Sequence, residues 1–167
     1  MRLIILGAGG LGQVVRDLAM QDHRFDEVLY LDDKESDITS GACSDYLSYR
    51  DDRTEFYPAF GNNELRKSWI KRLEENKSTI LTLVHHNAYV SPTCTLGSGT
   101  VVMPNAVVNT NTTLKEGCII NIGALVDHDC VLEDCVHIAP GAVVKGMNHL
   151  PECMKVESGT VIQKNSL

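Results

Sequence analysis

The side chains best suited to chemistry in this sequence gather around one histidine. His128 lies in the run Asn121-Ile122-Gly123-Ala124-Leu125-Val126-Asp127-His128-Asp129-Cys130, with a carboxylate on either side. An imidazole with an adjacent carboxylate to orient it and raise its basicity is what a general base near neutral pH requires. The same pattern fits a solvated surface histidine beside two surface aspartates, and spacing alone does not separate the two. His137 and His149 lie further along; the three imidazoles could in principle meet a zinc ion across subunit faces, but their spacing does not converge and no metal is expected. Cys94, Cys118 and Cys130 are read as structural, not nucleophilic.

A second constellation opens the chain. Gly7-Ala8-Gly9-Gly10-Leu11-Gly12 satisfies G-x-G-x-x-G directly after the apolar run 2–6 and before Val14, Val15, Leu18 and Ala19 at helical spacing. Backbone N–H groups at such a turn can approach a phosphate, and Asp32, twenty residues beyond Gly12, can accept from a ribose hydroxyl. The motif does not identify the nucleotide. A full dinucleotide fold needs two mononucleotide halves, and only about 85 residues are available here, so nicotinamide chemistry is disfavoured.

These groups must be positioned by two kinds of element. In the first part, strands are expected at 2–6, 27–31, 56–60 and 79–84. A helix follows Asn62 or Asn63 with Leu65, Trp69 and Leu73 on one face, and the polar stretch 34–55 is expected to be loop. After His86 the period becomes six. Val90, Leu96, Val102, Val108, Leu114, Ile120, Val126, Leu132, Ile138, Val144, Leu150, Val156 and Ile162 are all branched aliphatics. Four residues after each comes mostly a small side chain, through Cys94, Thr100, Ala106, Thr112, Cys118, Ala124, Cys130, Val136 and Ala142, then Asn148, Met154, Thr160 and Ser166. Six does not match a helix of 3.6 residues per turn; it suits a solenoid in which three hexads make one triangular coil, rising ~4.8 Å per coil. Val90, Val108, Val126 and Val144 would then stack, with Val126 and Cys130 inward and His128 outward near a corner. The expected fold is thus α/β plus β-solenoid, a small Rossmann-like βαβ domain over 1–86 followed by a parallel β-helix over 87–167. The last coils, with Asn148, Pro151 and Met154, are expected to be irregular, with Glu157, Lys164 and Asn165 guarding an open strand edge.

Composition narrows the classes further. The 167 residues carry a net charge of −7 and only 5% aromatics, so a broad basic footprint for nucleic acid is absent and the interior must be aliphatic and narrow. No run approaches a membrane span, and six cysteines without a C-x-x-C pair suggest free thiols in a reducing, cytoplasmic setting.

The glycine turn, Leu31-Asp32-Asp33, Phe60-Gly61-Asn62-Asn63, Ala88-Tyr89-Val90-Ser91-Pro92 and Val126-Asp127-His128-Asp129-Cys130 within hexads together resemble the bacterial sugar O-acyltransferases, which include sialic-acid O-acetyltransferases and UDP-4-amino-sugar N-acetyltransferases. The resemblance runs from residue 2 to about residue 150. It implies a left-handed helix, a homotrimer, acetyl-CoA as co-substrate, a sugar or nucleotide sugar as acceptor, and direct transfer without an acyl-enzyme. Position by position it implies His128 as base with Asp129 polarising it, His137 and Gly146 beside acetyl-CoA, Asn121 near the reaction centre, and Gly9, Gly10, Asp32, Asp33 and Lys34 at the nucleotide. It leaves amine and hydroxyl acceptors both open. Two departures stand out. Leu11 replaces the histidine usual in the glycine turn, and the chain stops at Leu167 where relatives continue, which leads us to expect weak CoA binding with Lys145, Lys155 and Lys164 as the nearby cations. A non-catalytic nucleotide-binding or scaffold protein is the alternative from another class.

Overall fold

The computed structural model describes residues 1–164; Asn165 and Ser166 lie outside the described residues. The chain divides into two compact units, Met1–Leu81 and Thr82–Leu167. The division falls before His86 because the run 79–84 is not one strand. Thr79–Ile80 pairs with the sheet of the first unit, whereas Leu83–Val84 pairs with Val101–Val102 in the second.

In the first unit the strands β1 (Arg2–Leu6), β2 (Glu27–Leu31), β3 (Thr54–Pro58) and β4 (Thr79–Ile80) form a parallel sheet in the order β2-β1-β3-β4. β1 is central and Leu3 to Leu6 are fully buried, as parallel strands covered on both faces must be. Helix α1 (Gly10–Gln21) buries Val15, Leu18 and Ala19. Gly7 has φ +102°, open to glycine without strain, and a Cβ on Gly12 would lie 2.1 Å from the Gly7 carbonyl oxygen, so α1 can approach the turn only with hydrogen at that position. Gly12→Ala is therefore expected to cost about 1–3 kcal/mol of unfolding free energy by urea titration. Gly9→Ala, whose Cβ meets nothing within 4 Å, is expected to change it little.

Two expectations for this unit are corrected. The stretch 34–55 is not simply loop: Cys43–Tyr49 forms a 3-10 helix that brings the buried Tyr46 edge-on to Phe56 and Trp69 at centroid distances of 6.0 and 5.6 Å. Helix α2 (Asn63–Glu75) is capped by Asn62, whose side chain accepts from Leu65 N–H at 2.9 Å, but its buried face is Asn63, Arg66, Ile70 and Leu73. Leu65 is exposed. A fully buried arginine sits on that face because its guanidinium donates to the Phe60 carbonyl at 2.8 Å and to Asn63 Oδ1 at 2.9 Å, which offsets the desolvation of the charge.

The second unit is a prism of two-residue strands, each paired in parallel with the strand eighteen residues on. One face stacks Leu83–Val84, Val101–Val102, Ile119–Ile120, His137–Ile138 and Lys155–Val156. The next stacks Tyr89–Val90, Val107–Val108, Leu125–Val126, Val143–Val144 and Val161–Ile162, so Val90, Val108, Val126 and Val144 lie over one another. The third stacks Thr95–Leu96, Thr113–Leu114, Val131–Leu132 and His149–Leu150. The hexad anchors from Val102 to Val156 and the small residues between them form one apolar interior. The final coils keep this register, contrary to the irregularity expected. Asn148 is accommodated inside because its Nδ2 donates to the carbonyls of Lys145 and Gln163, at 2.7 and 3.0 Å, and Pro151 takes a corner position where its carbonyl accepts from Met154 N–H.

Candidate active site

The turn 127–130 leaves the second face of the prism after Val126. Val126 and Cys130 are fully buried, and between them the chain must round a corner, so the side chains of Asp127, His128 and Asp129 point outward. Asp129 has φ +55°, a left-handed corner conformation that a short polar side chain tolerates.

The outward groups form an ordered cluster. His128 Nδ1 lies 2.7 Å from Asp129 Oδ2. A carboxylate can only accept, so Nδ1 carries the proton and Nε2 of the neutral ring presents its lone pair. Asp129 Oδ1 accepts from Asn111 Nδ2 at 3.1 Å, and Asp127 Oδ1 accepts from His128 N–H at 2.8 Å and from Asn109 Nδ2 at 3.0 Å. Asn109 and Asn111 lie eighteen residues before the aspartates they hold, directly beneath them in the stack. Sequence reasoning passed over both; the signal was the spacing of one full coil. Asp127 Oδ2 stands 4.0 Å from His128 Nε2, too far for a hydrogen bond but close enough to favour an imidazolium once Nε2 takes a proton. On the other side, a Cβ on Gly146 would fall 2.8 Å from Nε2 and 2.9 Å from Cε1, so the ring can lie where it does only because residue 146 has no side chain.

Both carboxyls are held below the ordinary carboxylate range, Asp129 by the hydrogen bond from His128 and then that from Asn111, Asp127 by the backbone N–H of His128 and then Asn109. A carboxyl whose folded pKa is depressed contributes stability above its unfolded value, and that contribution is lost as pH falls through the folded one. The His128–Asp129 pair is therefore expected to stay intact as pH falls to about 4. Carboxyl-carbon NMR is expected to give Asp129 a midpoint below the ordinary 3.8, moving upward in Asn111→Ala.

The other histidines lie elsewhere on the prism. His137 is buried on the first face with Nε2 3.1 Å from Asn121 Nδ2. Because Asn121 Oδ1 already accepts from Ile122 N–H, its amide donates to Nε2 and places the His137 proton on Nδ1. His149 is on the third face against Glu133 at 2.6 Å, with Lys115 2.5 Å from the other carboxylate oxygen. One chain thus brings together His128, Asp129 and Gly146, and separately Asn121 and His137. Among the described residues no group of three His, Cys, Asp or Glu is placed to hold a metal ion. No helix among them is long and apolar enough to cross a membrane.

In the first unit Asp32 braces the glycine turn. Its Oδ2 accepts from Ala8 N–H at 2.7 Å and its Oδ1 from Lys34 N–H at 2.8 Å, while Asp33 Oδ1 accepts from Cys43 N–H at 3.0 Å. Asp32, Asp33, Thr39 and Gly41 line a cavity of about 410 Å³. A Cβ added at Gly9 or Gly10 would meet nothing within 4 Å, so packing within this unit does not require glycine there.

Comparison with known proteins gives a consistent picture. Residues 2–73 match the family described as the PglD N-terminal domain. The acetyltransferase domain of PglB from Neisseria gonorrhoeae FA1090, solved in complex with acetyl coenzyme A, is 34% identical and superposes with a TM-score of 0.92 over 96% of this chain and 80% of that one. A variant of perosamine N-acetyltransferase from Caulobacter crescentus, in complex with CoA and GDP-perosamine, shares the fold with a TM-score of 0.82 at 22% identity, covering 98% of this chain and 89% of that one. The UDP-N-acetylbacillosamine N-acetyltransferase of Bacillus subtilis (strain 168) is 36% identical over 110 residues, 59% of this chain; the match spans about half the length of that curated relative, 50%. The architecture is a Rossmann-like unit followed by a left-handed parallel β-helix.

Proposed function

Because the chain belongs to the hexapeptide-repeat family of bacterial sugar acetyltransferases, we propose that it transfers an acetyl group from acetyl-CoA to the amine of a nucleotide-linked amino sugar. The observation that carries this reading is His128, locked by Asp129 on Nδ1 with the lone pair left on Nε2, its ring lying across Gly146 where a Cβ would displace it. The N-acetyltransferases among the similar proteins favour an amine over a hydroxyl acceptor.

Acetyl-CoA supplies the activated acyl carbon when bound, and the lack of a side chain at Gly146 lets the His128 imidazole lie where a Cβ would displace it. His128 Nε2 removes the proton from the acceptor nitrogen as it attacks, and Asp129 holds Nδ1–H and stabilises the imidazolium. Asp127, 4.0 Å from Nε2, favours the same charged ring. A backbone N–H, or His137, steadies the developing oxyanion, and as the thioester C–S bond breaks the proton held on His128 Nε2 passes to the departing CoA thiolate. Gly9 and Gly10 at the start of α1 admit a phosphate to backbone N–H groups, with Asp32, Asp33 and Lys34 beside it; that glycine stands where packing within the unit does not demand it supports a ligand there. Six free cysteines fit a reducing cytoplasm.

A homotrimer completes the assembly. The outer side chains of the second face, Tyr89, Val107, Leu125, Val143 and Val161, form an apolar ladder in register, with Tyr89 54% exposed. His128 and His137 sit on different faces of one prism, so a site using both takes one from a neighbour. Light scattering is expected to give three times the 18.4 kDa chain mass, and Leu125→Glu to lower it; a monomer at micromolar concentration would remove the shared site.

The activity is tested by CoA thiol release with a panel of UDP- and GDP-linked amino sugars and sialic acids. Turnover is expected with a nucleotide-linked amino sugar. Turnover confined to sialic acids would move the acceptor to a hydroxyl, and nucleotide-sugar binding without any release would make the protein a non-catalytic binder.

A further inference from the structure

Corners of the prism are commonly closed by a backbone hydrogen bond from the fourth residue of the turn to the first. Cys94 N–H donates to Ser91, Thr112 to Asn109, Ala124 to Asn121 and Ala142 to Ala139. The corner that carries His128 is built differently. Asp127 C=O accepts from the hydroxyl of Thr112 at 2.8 Å, and Cys130 N–H donates to that same oxygen at 3.2 Å. One oxygen atom, from a side chain fully buried in the prism one coil below, therefore stands between the two ends of the turn.

Three further backbone groups of the turn are also tied. His128 N–H donates to Asp127 Oδ1, Asp129 N–H to the Thr110 carbonyl, and His128 C=O accepts from Met147 N–H. With these groups occupied, the conformation of the turn depends on what spans Asp127 and Cys130. A direct bond would draw the ends together; the inserted hydroxyl keeps them apart while satisfying both. We propose that Thr112 is a positioning residue for His128, its hydroxyl holding turn 127–130 open so that the imidazole lies across Gly146 with Nδ1 on Asp129. The proposal rests on the reading of His128 as the base.

A second threonine supplies the control. Thr100, equally buried, donates from Oγ1 to the Lys115 carbonyl at 3.2 Å, at a corner without His128. Replacing either hydroxyl with the methyl of valine removes a buried hydrogen bond to the carbonyl of the coil above, so the two changes share that loss but not their neighbourhood; Thr112→Val also takes the acceptor from Cys130 N–H.

The test measures kcat, KM and the pH profile of the full-length chain, with the His128 ring nitrogens followed by NMR. Thr112→Val is expected to lower kcat about 10- to 100-fold with KM little changed, because a small displacement of a base is costly. It is also expected to alter the acid limb of the kcat/KM profile and the ring-nitrogen signals, since the 2.7 Å contact of Nδ1 with Asp129 is loosened. Thr112→Ser, which keeps the oxygen, is expected to restore both, and Thr100→Val to leave kcat and the pH profile at wild-type values. Wild-type kcat and pH profile in Thr112→Val, with His128→Ala inactive, would overturn the proposal and leave the base assignment standing. Wild-type turnover in His128→Ala would instead overturn the base assignment and, with it, the positioning role. If Thr112→Val does not fold, Thr112→Ala serves, since alanine occupies the equivalent interior positions at Ala106 and Ala124, beneath corners that close by a direct backbone bond; wild-type kcat and pH profile there would likewise overturn the proposal.

Discussion

His128→Ala is expected to lower kcat by about 10² to 10⁴ while leaving the far-ultraviolet spectrum, the melting transition and nucleotide-sugar binding unchanged. The side chain lies outside the apolar interior at a half-exposed corner, and its backbone bonds, N–H to Asp127 Oδ1 and C=O from Met147 N–H, survive the truncation. What is lost is the proton acceptor at Nε2. Asp129→Asn is expected to cost less, because an amide oxygen can still accept Nδ1–H but no longer stabilises the imidazolium by its charge. Steady-state rates at saturating acceptor separate the two: equal turnover in His128→Ala and wild type would move the base elsewhere.

Gly146→Ala is expected to be nearly as damaging to turnover and nearly silent in stability. The new Cβ would stand 2.8, 2.9 and 3.1 Å from three atoms of the His128 ring, closer than carbon atoms pack. Those atoms are the far end of a rotatable side chain, so the ring swings aside and the coil itself need not move. The cost in unfolding free energy is then within about 0.5 kcal/mol, as for a surface substitution. Swinging the ring breaks the 2.7 Å contact with Asp129 and moves Nε2, for which a loss of about 10² in kcat is expected. Urea unfolding measured beside kcat reads both halves; wild-type kcat would mean that the working position of the ring is not the one across Gly146.

The parts of this protein legible from sequence were those whose cause is local or repeats. A branched aliphatic at every sixth position has to be buried, and only a chain turning a corner every six residues buries all of them, so Val126 and Cys130 inward and His128 outward follow before any coordinate is known. The glycine turn is legible for the same reason: Gly12 answers to Gly7, five residues away. The run 79–84 shows the limit. It reads as one strand because both halves suit a sheet, and only the folded chain divides it between two. Likewise α2 turns Arg66 inward, against its charge, because the Phe60 carbonyl waits there for a donor.

The candidate site divides along the same line. Sequence named His128, Asp129 and Gly146 and, through spacing, set His128 at a corner. That Gly146 is the floor for the imidazole, that Asn109 and Asn111 aim the two carboxylates, and that Thr112 bridges the turn were decided by tertiary structure. The residues sit about one coil apart along the chain, where nothing in their local sequence couples them. Closing each coil onto the one below brings them within hydrogen-bond range, and which atoms then meet depends on side-chain rotamers and corner geometry that the six-residue period leaves open.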